Sequence, residues 1–280
     1  MSYSERWRRI RTIIHQLFTP RMSATFKPSQ LFESKQLTYD LLENNGHQTE
    51  FYTHTRRYAT SVIMTSTYGR RVPTWEDDDV REIFTILGEF AEASNPTRWW
   101  AEILPPLSRL PEFLQWWRPE AMRFQERQNR VWMGYWQRLK QKIEDGTAPT
   151  CFVKQFAESD YQSKGIDELQ AAYTAGSISH FRFSNVAMIE AGSETTSATL
   201  NSCILYLIAN PQVQKIAHEE IDRVLSGRSP TFEDEDSLPY CRAIVKEILR
   251  LRPVANIGSP RRSDEDIIYK DMYQSFHKDI

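Results

Sequence analysis

Proline and glycine punctuation limits this chain more than any other feature. It cuts the sequence into stretches of helical length and leaves almost none with the alternation of a strand. Residues 5–17 read as a basic amphipathic helix, with Trp7, Ile10, Ile14 and Leu17 spaced for one face, stopped at Thr19 and Pro20. A second helix is predicted over 28–44. A third, "FYTHTRRYATSVIMTSTYG", ends at Gly69, a residue that readily takes the left-handed conformation closing a helix. Residues 77–93 make a fourth. Prolines at 96, 105, 106, 111 and 119 then break the chain into short turns. The long "PEAMRFQERQNRVWMGYWQRLKQKIEDG" follows, acidic at its start and basic at its end as the helix dipole favours. Residues 147–165 are poorly patterned. Beyond them "IDELQAAYTAGS" opens a helix, "NPQVQKIAHEEIDRVLSG" has Pro211 at a start and Gly227 just past an end, and "LPYCRAIVKEILRLRP" is closed by Pro253. The expected fold class is mostly α, with a small β element near the end.

Composition narrows what such a helical chain can do. Its 35 basic and 37 acidic residues nearly cancel and no long basic run occurs, so a nucleic-acid surface has no electrostatic support. The three cysteines, Cys151, Cys203 and Cys241, are far apart and without CxxC spacing, which argues against disulfides or a zinc site. No stretch approaches the roughly 20 apolar residues of a membrane span, and the start lacks the apolar core of a signal peptide; as written, the chain reads as cytoplasmic. Large aromatics crowd "RWWAEILPPLSRLPEFLQWWRPE", which suggests a bulky apolar interior or an apolar-facing surface.

Two patterns carry chemistry. In "EAGSETTSAT", Gly192, Glu194 and Thr195 lie within an apolar helical setting that runs from Ala187 to Leu207. Glycine there costs about 1 kcal/mol of helix propensity relative to alanine, so a function explains it better than folding does. A buried carboxylate beside a hydroxyl suits a proton shuttle, because desolvation raises its pKa. The plainer alternative is a helix kink with the threonine bonded to the preceding turn. The second pattern is Glu247 and Arg250 in "KEILR", three apart and therefore on one helix face. A lone pair of this kind is most often a surface ion pair. Its place inside "LPYCRAIVKEILRLRP" argues instead for a buried or half-buried structural pair.

The ordered set "AGSETT", "NPQVQKIAHEEID" and "LPYCRAIVKEILRLRP" resembles the cytochrome P-450 family, the haem-thiolate monooxygenases. "ERWRRIRTIIHQLFTP" and "SPRR" add to the likeness. The resemblance implies an incomplete cytochrome P-450 fold with little β structure. Trp7, Arg11 and Arg261 would bind the haem propionates, and Ala191 and Gly192 would leave room for dioxygen against the haem. Glu194 and Thr195 would relay protons during oxygen activation. It further implies electrons from NADPH through a cytochrome P-450 reductase, and a hydrophobic small-molecule substrate. The form "AGSETT" with "LRLRPVANIGSPRRSDED" is most similar to fungal members of secondary metabolism.

The resemblance has gaps. The family's iron-ligating cysteine lies in a loop of the type F-x-x-G-x-R-x-C-x-G, and none of the three cysteines has such surroundings. The chain therefore reads as one partial domain over 1–280, truncated at both ends and inactive by itself, with 273–280 an aberrant tail. Full-length relatives would be anchored to the endoplasmic reticulum membrane. "ISHFRFSNVAM" reads as an insertion of about ten residues; kept helical it would add about 15 Å and turn the later face by about three-quarters of a turn, so either it loops out or the helix packs differently here. The rival reading is a non-catalytic remnant or a helical binding protein.

Overall fold

The computed structural model describes residues 24–43, 51–93, 95, 98–176, 188–255, 267–269 and 272–274, together with residues 5, 8, 11, 12 and 15. Among them are the helices α1 (Lys27–Glu43), α2 (Phe51–Tyr68), α3 (Asp78–Ala93), the short α4 (Trp100–Ile103) and α5 (Arg118–Glu144). These are followed by α6 (Phe152–Glu158), α7 (Glu168–Gly176), α8 (Met188–Ala209), α9 (Pro211–Leu225) and α10 (Pro239–Leu251). Two strands, β1 (Ile267–Tyr269) and β2 (Met272–Gln274), pair antiparallel with Ile267 opposite Gln274 and Tyr269 opposite Met272. The fold is mostly α, as expected. The tail boundary expected at residue 273 falls inside β2. The proposed insertion at 178–187 lies outside the described residues.

Local chemistry sets several of the ends. Gly69 takes φ 65°, its N–H donates to the Thr65 carbonyl, and a Cβ there would run into the ring of Pro149. Pro211 and Pro239 each open a helix, where the missing N–H costs nothing. At the end of α9 the left-handed turn begins one residue earlier than expected: Ser226 itself has φ 49°, ahead of Gly227.

The core lies where α2, α3, α5 and α6 converge. Trp132 and Trp136, four apart on α5, are fully buried together with Met64, Ile83, Ile86, Val153 and Phe156. Trp136 meets the rings of Phe156 and Tyr161 edge-on at 6.2 and 5.9 Å, and its indole N–H donates to Glu168 at 3.1 Å. Here the expectation for 147–165 fails: the stretch contains α6, whose Phe152, Val153 and Phe156 are among the most deeply buried side chains. Seven residues are too few to repeat a helical pattern, so only tertiary packing reveals it. The aromatic segment before α5 divides in the opposite sense. Trp99 is buried, whereas Trp100, Phe113 and Trp116 are exposed.

Helix α2 is the element against which others dock. On one side α1 reaches it through a buried ion pair, Arg57 Nη1 to Glu33 Oε2 at 2.6 Å, extended by Asp40 at 3.1 Å and by Arg71 on Glu33 at 2.7 Å. On another side α8 packs along it, and the Thr55 hydroxyl donates to Asn201 Oδ1 at 2.6 Å. Helix α10 joins through α9: the Glu220 carboxylate accepts the backbone N–H groups of Tyr240 and Cys241 at 3.0 and 2.9 Å, satisfying two orphan donors at the helix start.

Candidate functional site

The candidate site is built on α8, and helical geometry sorts its residues into two faces. Ser193 and Ser197 are buried, Asn201 bonds α2, and together these positions form the seam that faces the protein interior. Gly192 also looks toward α2, where an added Cβ would meet the side chain of Ile63 at 3.0 Å. The missing side chain thus has a packing reason, which sequence reasoning had assigned to room for dioxygen alone. Position 191 precedes Thr195 by one four-residue repeat, and Ala198 and Ser202 continue the same face, opposite Ser193.

Thr195 is exposed and Glu194 half-buried, so the acid–alcohol pair is not enclosed as expected. The described residues that flank this face do not cover it. Hydroxyl bonding to the preceding turn does occur on this helix: Ser197 donates to the Glu194 carbonyl at 3.0 Å and Thr199 to the Thr195 carbonyl at 2.9 Å.

An open cleft of about 560 Å³ lies between Ala198, Asn201 and Ser202 of α8 and the chain from Leu251 to Val254 that leaves α10. Sequence reasoning missed this second wall. Its signal was present in the i+3 and i+7 spacing of Ala198 and Ser202 from Thr195, and in Pro253, which ends the helix and turns the chain toward α8.

Glu247 and Arg250 form a bidentate pair, with Arg250 Nε and Nη2 donating to the two carboxylate oxygens at 2.8 and 2.7 Å. The pair is exposed, at 51% for Glu247 and 67% for Arg250, which corrects the expectation of a buried or half-buried one. The reason is rotational. Helix α10 turns Ile248 and, in part, Ile244 inward; at 100° per residue position 250 points away from that face and position 247 lies on its flank, within reach of 250 and open to solvent. The bond from Arg250 holds the Glu247 carboxyl below its usual range. Arg11 is helical and exposed, while Trp7 and Arg261 lie outside the described residues.

None of the cysteines is set up as a thiolate. Cys151 is buried ahead of α6, and burial pushes its thiol up. Cys203 and Cys241, half-buried on α8 and α10, are pushed up by burial too, Cys241 further by its bond with Glu220. Among the described residues no His, Cys, Asp and Glu side chains are grouped to hold a metal ion, and no helix is long and apolar enough to cross a membrane.

A family model described as cytochrome P-450 matches residues 1–279. The cytochrome P-450 monooxygenase pgmC of Aspergillus terreus is 40% identical over 274 residues, covering 97% of this chain and 47% of that protein. The cytochrome P-450 monooxygenase verL of Clonostachys rogersoniana is 37% identical, covering 98% of this chain and 49% of that protein. A zebra fish cytochrome P-450, solved with abiraterone, superposes with a TM-score of 0.67 at 20% identity, over 97% of this chain and 58% of its own. The chain spans about half the length of the curated relatives it matches.

Proposed function

The chain belongs to the cytochrome P-450 family, and from that premise we propose that it forms the helical half of a haem-dependent monooxygenase acting on a hydrophobic small molecule in fungal secondary metabolism. In this reading Ala191 and Thr195 stand on the haem side of α8, with Trp7, Arg11 and Arg261 on the propionates. NADPH supplies electrons through a cytochrome P-450 reductase. Haem, when bound, supplies the redox chemistry, and the protein supplies its surroundings.

The observation that carries the reading is the two-sidedness of α8. Ser193 and Ser197 are buried and Asn201 is bonded to α2, while Thr195 is exposed and Glu194 half-buried, and the cleft lined by Ala198, Asn201 and Ser202 lies further along the helix. A carboxyl one residue from a hydroxyl can take a proton from water and hand it on through the alcohol. Leu251 and Val254 supply apolar surface on the opposite wall, the side on which a hydrophobic substrate would lie.

Haem would be accommodated on the exposed Thr195 side of α8, whereas none of the three cysteines fits as its sulfur ligand. A sulfur ligand needs a thiolate, favoured by an electropositive and partly open setting. All three thiols here are shifted the other way. We therefore propose that these 280 residues alone do not complete the monooxygenase reaction.

The test is the spectrum of the purified chain reconstituted with haem, reduced and exposed to carbon monoxide. We expect no red-shifted Soret band of a thiolate-ligated complex, and no haem-dependent product from apolar substrates with NADPH and a reductase. A thiolate band abolished by one Cys→Ser substitution would overturn the claim about the cysteines. Product lost on Thr195→Ala would overturn the claim of inactivity while supporting the role of Thr195.

A further inference from the structure

Four aromatic side chains follow one another through the core, and their polar atoms are treated unequally. Trp136 and Trp132 lie one turn apart on the buried face of α5. The Trp132 ring is 6.0 Å from that of Tyr135, which in turn is 5.2 Å from that of Tyr68. All four are at most 4% exposed. The indole N–H of Trp136 donates to Glu168 at 3.1 Å, and the Tyr135 phenol has Asp79 as its acceptor. By contrast, the Trp132 indole N–H and the Tyr68 hydroxyl have no hydrogen-bond partner among the described residues. Packing does not call for this alternation, since phenylalanine fills an apolar core as well.

Indole and phenol rings are among the side chains most easily oxidised by one electron, and the fate of the proton decides where the charge stops. A phenol that loses an electron becomes a strong acid and must shed its proton, whereas an indole radical cation is a far weaker acid and can pass the charge on. Tyr68 lacks a base and is therefore no stopping place. Trp132 lacks one too and can only be crossed. Tyr135 has the Asp79 carboxylate, which Arg70 shares at 2.6 Å but which remains a far stronger base than an oxidised phenol. Arg138, its Cζ 4.6 Å from the Tyr135 centroid, disfavours positive charge on that ring and so couples loss of the electron to loss of the proton. The carboxyl of Glu168 is held below its usual range by its bonds from Lys140 and the Trp136 N–H. It steadies a cation on Trp136 without taking its proton.

We propose that Trp136, Trp132 and Tyr135 form a one-electron relay that carries an oxidising equivalent out of the core and holds it on Tyr135. A one-electron oxidant, such as a carbonate radical, takes the electron and is itself reduced. Trp136 and Trp132 pass the vacancy along α5, and Tyr135 ends as a neutral phenoxyl radical with its proton on Asp79. A reductant of the ascorbate class then returns one electron, and the proton goes back from Asp79 to the phenolic oxygen. Tyr135 borders an open crevice of about 280 Å³, whereas both tryptophans are fully enclosed, so the tyrosine is the end of the relay that faces solvent. The relay is independent of haem.

Rapid-freeze electron paramagnetic resonance of the 280-residue chain, oxidised with stoichiometric photogenerated tris(bipyridine)ruthenium(III), tests this. A tyrosyl component is expected that disappears in Tyr135→Phe and persists in Tyr39→Phe, whose side chain is exposed. Asp79→Asn keeps the ring but removes the base, and should slow the rise of that component by about a hundredfold. Trp132→Phe leaves an apolar ring in place and should delay the same component, while radicals on exposed tyrosines form as before. Thermal melting followed by circular dichroism checks that each variant is folded, and Tyr135→Phe, which removes a single hydroxyl, decides the matter by itself. A spectrum unchanged by Tyr135→Phe, or a rise unchanged by Asp79→Asn or by Trp132→Phe in a variant that keeps its folding transition, would each overturn the proposal.

Discussion

Gly192 and Ile63 meet so closely that a Cβ on the glycine would stand 3.0 Å from both Cδ1 and Cγ1 of the isoleucine. An alanine at 192 gains about 1 kcal/mol of helix propensity, while crowding a packed contact typically costs about 1–3 kcal/mol. The sign of Gly192→Ala therefore depends on its neighbour. We expect it to destabilise the parent chain and to stabilise the Ile63→Ala chain, measured by urea denaturation of all four members of the cycle. Equal stabilisation in both backgrounds would show that Ile63 does not limit the site.

The ion pair between Arg57 and Glu33 should dominate the docking of α1. Their side chains are 3% and 2% exposed, against 38% for Arg71 on the same carboxylate. Removing one member of a buried pair typically costs about 3–5 kcal/mol, whereas a half-exposed partner contributes about 0–1 kcal/mol. Arg57→Ala should thus lower the urea midpoint far more than Arg71→Ala, with the slope unchanged. Similar losses from the two would mean that water reaches Glu33.

Glu247 and Arg250 form a well-shaped bond in an exposed place. Surface pairs pay side-chain entropy for an attraction that water and salt screen. Arg250→Ala should shift the thermal midpoint no more than Lys246→Ala, its exposed neighbour, does. A clearly larger loss would mean that the pair is covered in solution.

What holds α10 is Glu220, twenty residues before the backbone it caps. Burial pushes its carboxyl up, but the N–H groups of Tyr240 and Cys241, the Cys241 side chain and Arg223 together outweigh it and the net shift is down. A depressed carboxylate stabilises the fold above the unfolded value of about 4.3 and loses that contribution as pH falls through the folded value. Glu220→Gln should lower the thermal midpoint at pH 7 relative to Glu219→Gln, and the difference should shrink on acidification below about pH 4. A difference independent of pH would assign the effect to packing.

Much of the fold was legible because its ends are written in single residues: Gly69 closes α2, Pro211 and Pro239 open α9 and α10. Helix α6 was not, since seven residues amid proline, threonine and serine carry no repeat, and Phe156 packs on Trp136 and Tyr161 from outside its own helix as well as on Phe152 within it. At the site, spacing placed Glu247 with Arg250 on a common face. It was silent on what lies opposite. Ile63 against Gly192, and Leu251–Val254 across the cleft from Ala198, are juxtapositions of distant stretches of chain, and no local pattern encodes them.

The three cysteines allow a direct check on whether this chain holds a thiolate that could bind iron. A thiol reacts as its thiolate, so burial that raises its pKa slows attack on a disulfide reagent at neutral pH and also removes the form that would bind iron. Cys151 is fully enclosed in the core, whereas Cys203 and Cys241 are only half-buried. Treated with Ellman's reagent at pH 7, the native chain should release thionitrobenzoate slowly from Cys203 and Cys241 and from Cys151 only on unfolding. The rates at the first two should climb as pH rises past the free-thiol value of about 8.5, where a low-pKa cysteine would already have levelled off. Single Cys→Ser variants assign each phase. One thiol reacting fast and independently of pH between 6 and 8 would identify a thiolate in the folded chain, and that residue would become the candidate iron ligand.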